Sequence, residues 1–188
     1  MRLFAAAIRE APEFYEVYYH QGVAEAQLDR DQEALRSFQT AIDLSDGHYP
    51  RAEFGYALVL TRAGNADAER VVRHGLQTDA NIADGHVVLS LALLKLKRLE
   101  EAEKSAQEAP RLNAPSSGKA HLVLADIRGE SGALGGQARE LDAYLERYPN
   151  DRNHKMLEAV RDIARRLAFK IRSRGASAEN NRSVRATN

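Results

Sequence analysis

The sequence contains no cysteine and no tryptophan. The first absence removes disulfide scaffolds, thiol catalysis and cysteine-based zinc sites together. Aromatic residues make up only 6% of the 188 residues, and proline occurs five times. No run of about 18 apolar residues is present, which excludes a membrane-spanning helix. The opening segment from Met1 to Glu10 is too short, and with Arg2 and Arg9 too soon charged, for a secretory signal. The expectation is a soluble chain of the cytoplasm or periplasm. What is present is helix-forming: Ala and Leu lead the apolar set, with Glu, Gln, Arg and Lys supplying most of the polar set. An apolar share of 44% supports a real core.

The formal net charge is zero but unevenly spread. Residues 1–151 carry 17 basic and 24 acidic side chains, whereas residues 152–188 carry 10 and 3. A mildly acidic body therefore ends in a basic segment.

The strongest signal is internal repetition. Small residues recur mid-helix at Gly22, Ala57, Ser90 and Ala125, with separations of 35, 33 and 35, close to a period of about 34. A second small residue follows: Ala34 after Gly22, Ala68 after Ala57 and Ala102 after Ser90, while the fourth unit has Gln137 beside Ala138. Two antiparallel helices joined by a short turn nest where a small side chain faces a larger one. The larger partners follow at helical steps, as in Phe38 and Ile42, Val72 and Leu76, and Leu141 and Leu145. Turn residues fall between the two helices of each unit at Asp29-Arg30-Asp31, Gly64-Asn65, Lys97-Arg98 and Gly132-Ala133. The second turn reads as one residue short. Other breakers stand between units at Ser45-Asp46-Gly47, Asp79-Ala80-Asn81, Asn113-Ala114-Pro115 and Tyr148-Pro149-Asn150.

Gly22, Ala34, Phe38 and Ala41, the entry Leu99-Glu100-Glu101-Ala102, and the ending Leu141 to Asn150 carry a resemblance to the tetratricopeptide repeat (TPR) in its bacterial form. The resemblance covers roughly residues 2–150 and implies an all-α, right-handed α-solenoid of helix–turn–helix units. The expected organisation is the second helix of a partial unit over 1–12 and full units over 15–48, 50–82, 83–115 and 118–150. A capping helix over 152–172 and a disordered tail over 173–188 follow. The residues expected to pack between helices are Gly22, Ala34, Phe38, Ala57, Ala68, Ser90, Ala102, Ala125 and Leu141. The chain departs from the family pattern at Glu53, His86 and His121, where an aromatic is usual, and at Pro110, which should end or kink its helix early.

In the capping helix, Met156, Val160, Ile163, Leu167 and Ile171 form one apolar stripe, with basic residues elsewhere around the helix. The simplest role for that stripe is to cover the last repeat. A second reading is contact with an anionic surface. Phe169 alone interleaves with the charges, which argues against nucleic acid.

No catalytic constellation emerges. The six histidines make no helical pair with Glu of the kind a zinc protease needs. His86 and His121 occupy equivalent repeat positions and read as packing residues. Ser116-Ser117-Gly118-Lys119 ends like a phosphate loop, but Asn113 stands where its first glycine is required. The expectation is a non-enzyme without cofactor, metal or small-molecule substrate.

The resemblance implies a ligand groove lined by the first helix of each unit. Helical offset assigns to it Tyr19, Val23, Phe54, Leu58, Val87, Leu91, Leu94 and Leu122. This set is apolar, which suits an amphipathic helix or apolar peptide of a protein partner. Two alternatives stand beside this scaffold reading: a docking segment of a larger multidomain enzyme, and anionic-surface contact through the basic C-terminal region. The partial first unit also offers an open edge for a homodimer.

Overall fold

The computed structural model describes residues 2–112 and 117–186, with side chains over 3–112 and 118–173. The breaker Asn113-Ala114-Pro115 and Ser116 lie outside the described residues. Among those described there are ten helices and no strand. The chain divides into two compact units, Met1–Ala120 and His121–Asn188.

The first unit contains α1 (Arg2–Glu10), α2 (Tyr15–Gln27), α3 (Asp31–Leu44), α4 (Pro50–Arg62), α5 (Asp67–Thr78), α6 (Ala83–Lys95) and α7 (Leu99–Arg111). Helices pair as α2 with α3, α4 with α5, and α6 with α7, while α2, α4 and α6 lie side by side. The result is an all-α solenoid of TPR type. Its hairpin turns share one geometry. Asp29, Gly64 and Lys97 each adopt positive φ, at 56°, 71° and 59°. Each stands seven residues after its small mid-helix residue. The next amide in each turn donates back to a helix carbonyl: Arg30 to Glu25, Asn65 to Leu60, and Arg98 to Leu93, at 2.9–3.0 Å. This is the six-to-one bond of the Schellman cap. The residue missing from the second unit is lost after Gly64, so the helix end itself is unchanged.

Packing follows the small–large rule but not with the same donor in each hairpin. Phe38 of α3 is buried between α2 and α4. A Cβ on Gly22 would lie 2.9 Å from its ring, and one on Gly55 2.5 Å. In the next hairpin the corresponding position of α5 is Val72, and the aromatic comes instead from α4. A Cβ on Gly75 would lie 2.7 Å from the ring of Phe54, and one on Gly85 2.6 Å. The third pair fills the space with aliphatic and small residues, Leu89, Leu93, Ala102 and Ala106, all buried. Pro110 does not shorten α7. It occupies the last turn, one residue before Arg111, where few backbone bonds remain to be lost.

The second unit begins at His121, within α8 (Ser117–Glu130), and contains α9 (Leu134–Arg147) and α10 (His154–Ala186). Gly132, at φ 75°, makes the turn between α8 and α9. Arg128 and His121 of α8 both reach Glu140 of α9; the His121 Nδ1 to Glu140 Oε2 distance is 2.6 Å. The residues Gly22, Ala34, Phe38, Ala57, Ala68, Ser90, Ala102, Ala125 and Leu141 are all buried, each within its own unit.

Two expectations for the C-terminal segment need correction. Helix α10 continues to Ala186, although composition pointed to a disordered tail from 173. Arg, Ala and Glu between Ser173 and Ala186 are compatible with helix, and no proline interrupts them. The apolar stripe of α10 also does not cover α9. Met156 and Ile163 are 58% and 50% exposed, and Val160, Leu167 and Ile171 are exposed with them. Helix α10 packs on α9, and Leu157, Arg161, Ala164 and Ala168, which share one face of α10, are buried or half-buried. Ala164 permits close approach, being 2% exposed. Arg161 and Arg165 bind Asp142 of α9 at 3.5 and 2.5 Å and so fix the rotation of the helix.

Candidate interaction surfaces

In the first unit, the residues assigned to the groove form two rows across α2, α4 and α6, with Leu94 beyond them. One row is Val23, Leu58 and Leu91. Leu58 is exposed, and Val23 and Leu91 are half-buried. Leu94, a turn further along α6, is half-buried as well. The row one turn earlier is different. Phe54 and Val87 are 3% and 4% exposed and belong to the core. Phe54 is taken in by the space that Gly75 and Gly85 leave. Val87 stands on a helix buried around most of its circumference, with Val88, Leu89 and Ser90 also buried. Helical offset gave both residues the direction of the face but not its depth.

Tyr19, in that same row, is half-buried. Its ring lies 6.0 Å from Phe38 and meets Tyr49 edge-on at 5.3 Å, and Tyr15 lies 5.0 Å from Tyr49. Burial pushes the Tyr19 hydroxyl above its ordinary pKa; Arg51 opposes this and Asp84 adds to it. The rim of the face is therefore an aromatic cluster with charged neighbours. Sequence periodicity missed Tyr15 and Tyr49 as members. Tyr49 precedes α4, where helical spacing makes no statement.

Between α1 and α2 lies an apolar groove of about 700 Å³ lined by Leu3, Phe4, Phe14, Val17, His20 and Val23 among others. In the second unit, a groove of about 440 Å³ lies between α8, α9 and α10. Its walls include Leu122 and Asp126 of α8, Leu141 of α9, and Met156 and Val160 of α10. Leu122, assigned to the groove from sequence, is half-buried there. Desolvation, with Glu130 adding to it, raises the Asp126 carboxyl above its ordinary pKa.

His74 Nδ1 lies 2.7 Å from Glu53 Oε1, and His86 Nε2 lies 2.9 Å from the Ala80 carbonyl oxygen. Glu53 is buried, and its carboxyl is pushed above its ordinary value, mainly by desolvation, with His74 working in the opposite direction. A second buried carboxylate, Glu25, accepts hydrogen bonds from Ser37 Oγ at 2.6 Å and Gln21 Nε2 at 2.8 Å. Each such carboxylate is tied to a neighbouring helix, as burial of charge requires. Among the described residues, no three His or acidic groups gather as metal ligands, and no helix is long and apolar enough to cross a membrane.

No family model matches the sequence, and no curated protein matches it. Solved structures do. A thermophilic TPR protein of Thermus thermophilus is similar at 20% identity and a TM-score of 0.74, covering 87% of each chain. PilW, a type IV pilus biogenesis factor, is similar at 16% identity and a TM-score of 0.73, covering 95% of this chain and 82% of its own. YrrB, a TPR protein with an unusual peptide-binding site, is similar at 21% identity and a TM-score of 0.59, covering 89% and 83%. At these identities the likeness establishes the TPR fold.

Proposed function

We propose that the chain is a protein-interaction scaffold, with no chemistry of its own, that holds a peptide or helix of a partner on the face formed by α2, α4 and α6. The observation that carries this reading is the row Val23, Leu58 and Leu91. It contributes one apolar side chain from each of three adjacent helices, and none of the three is buried. Single exposed apolar residues are ordinary, but a row continuous across elements forms a patch. The aromatic rim of Tyr15, Tyr19 and Tyr49 supplies rigid contact area at its edge, with Arg51 beside it. Tyrosine and arginine are enriched where binding energy concentrates. That YrrB is described as having a peptide-binding site is consistent with the same use of the fold.

The test is affinity capture from the source lysate with the intact chain and with a Leu58→Glu, Leu91→Lys variant of unchanged helicity. Loss of specific partners with the variant assigns binding to this face. Retention of the same partners rules the face out.

A further inference from the structure

The outward stripe of α10 is a helix face that nothing in its own unit covers. Met156, Val160, Ile163, Leu167 and Ile171 step by 4, 3, 4 and 4 residues. They run about 22 Å at 1.5 Å per residue. All five are exposed. At its first end the stripe is not a flat surface. Met156 and Val160 line the groove of about 440 Å³ together with Leu122 of α8 and Leu141 of α9.

Charge is organised along the stripe. Of the bases on α10 within the described side chains, Arg161 and Arg165 are taken up by Asp142. Lys155, Arg166 and Lys170 have no carboxylate within ion-pair distance among the described residues. At 100° per residue these three fall on one row along the solvent side of the stripe. Asp162 falls on the same row but is bound by Arg161 at 3.0 Å, so the border is net cationic, and an apolar strip with such a border calls for a ligand with an apolar face and an anionic flank.

We propose that this surface docks an amphipathic helix of a partner protein, laid along α10 with its apolar face on Val160, Ile163 and Leu167 and acidic side chains over Lys155, Arg166 and Lys170. Two features favour a helix over an anionic bilayer, which has the same charge. At its Met156–Val160 end the surface is a trough shared with Leu122, which accepts a rod better than a plane. Phe169, 68% exposed, lies about 200° around the helix from Leu167, so the large apolar residues of α10 do not face one plane. The inference rests on the reading of the chain as a protein scaffold but uses a surface separate from the α2–α4–α6 face.

The experiment uses the full chain and a fluorescein-labelled helical peptide of about 18 residues, enough to span the stripe. Leucine lines one face of the peptide and glutamate its flanks. A control peptide keeps the leucines and carries lysine instead. The expected result is that the glutamate peptide binds at least roughly tenfold more tightly, a difference of about 1.4 kcal/mol, and that this margin shrinks as salt rises. Ile163→Glu with Leu167→Glu, on exposed positions that leave helicity unchanged, should abolish binding. Lys155→Glu with Arg166→Glu and Lys170→Glu should reverse the preference between the peptides. Leu58→Glu should change nothing, whereas loss of binding with that variant would move the site to the first unit and overturn the proposal. Equal affinity for both peptides, or indifference to the α10 variants, also overturns it. So does α10-dependent binding to phosphatidylglycerol vesicles without binding of the glutamate peptide, which would assign the stripe to a membrane surface.

Discussion

Helices α4 and α10 carry similar apolar material and meet opposite fates. Helix α4 has α2, α3, α5 and α6 against it, and Phe54, Val59 and Leu60 are buried, with Leu58 the apolar side chain left exposed. Helix α10 has α9, and its least exposed face is the narrow line of Leu157, Ala164 and Ala168, with arginine–aspartate pairs to α9 beside it. In a repeat array each unit contacts its neighbours, and burial rises with the number of neighbours rather than with the hydrophobicity of one helix. The comparison separates two uses of an apolar stripe: in α4 it supports the fold, and in α10 it is left free for something else.

The sharpest way to break this comparison is to truncate one residue from each stripe. Phe54→Ala should cost about 3–5 kcal/mol, the range for emptying a buried aromatic site. Ile163→Ala should cost less than about 1 kcal/mol, since surface changes are small. Urea unfolding followed by circular dichroism reads both. Similar losses at the two positions would mean that the α10 stripe is covered in solution, and the distinction would fail.

Much of the fold was legible because its signals are steric and local. Gly22, Ala34, Ala57 and Ser90 are small where two helices cross, and Gly64 and Gly132 turn left-handed where their helices end, Gly64 in a Schellman cap. Asp29 and Lys97 take the same left-handed geometry without glycine's freedom, so their turns were found from the repeat spacing instead. The surfaces were less legible. Periodicity places Phe54 and Leu58 on one side of α4 and Ile163 on one side of α10, but whether a side is covered depends on residues far away in sequence. Gly75 and Gly85 decide the burial of Phe54, and Asp142 decides which side of α10 faces α9. The rim tyrosine Tyr49 lay outside any helical pattern.

The burial of Phe54 can be tested from its partners. Gly85→Ala should destabilise by about 1–3 kcal/mol, the usual cost of overpacking, because the added carbon would sit 2.6 Å from Phe54 Cζ. In a Phe54→Leu background the same substitution should cost much less, giving a coupling of about 1 kcal/mol or more in a double-mutant cycle. An additive pair would show that the ring is not held against α6. The corresponding cycle of Gly55→Ala with Phe38→Leu asks whether the preceding hairpin uses its aromatic in the same way.

The smallest effect lies beside Phe54, at Glu53, and it turns the burial of this side of α4 into a pH dependence. Its carboxyl is held above its ordinary value of 4.5 by desolvation, against the pull of His74. A raised carboxyl pKa means that the folded chain binds the proton more tightly than the unfolded chain. Its favourable contribution is therefore fully present below the unfolded value and is lost as pH rises through the folded one. Relative to Glu53→Gln, the wild-type chain should gain stability as pH falls from about 7 toward the unfolded value. In a His74→Asn background the imidazole no longer favours the charged form, so the folded pKa should rise further and the gain should be larger. Unfolding free energies of the four chains across that interval measure both effects. A difference between wild type and Glu53→Gln that is flat with pH would place Glu53 in contact with water, and with it would go the argument that this side of α4 belongs to the core.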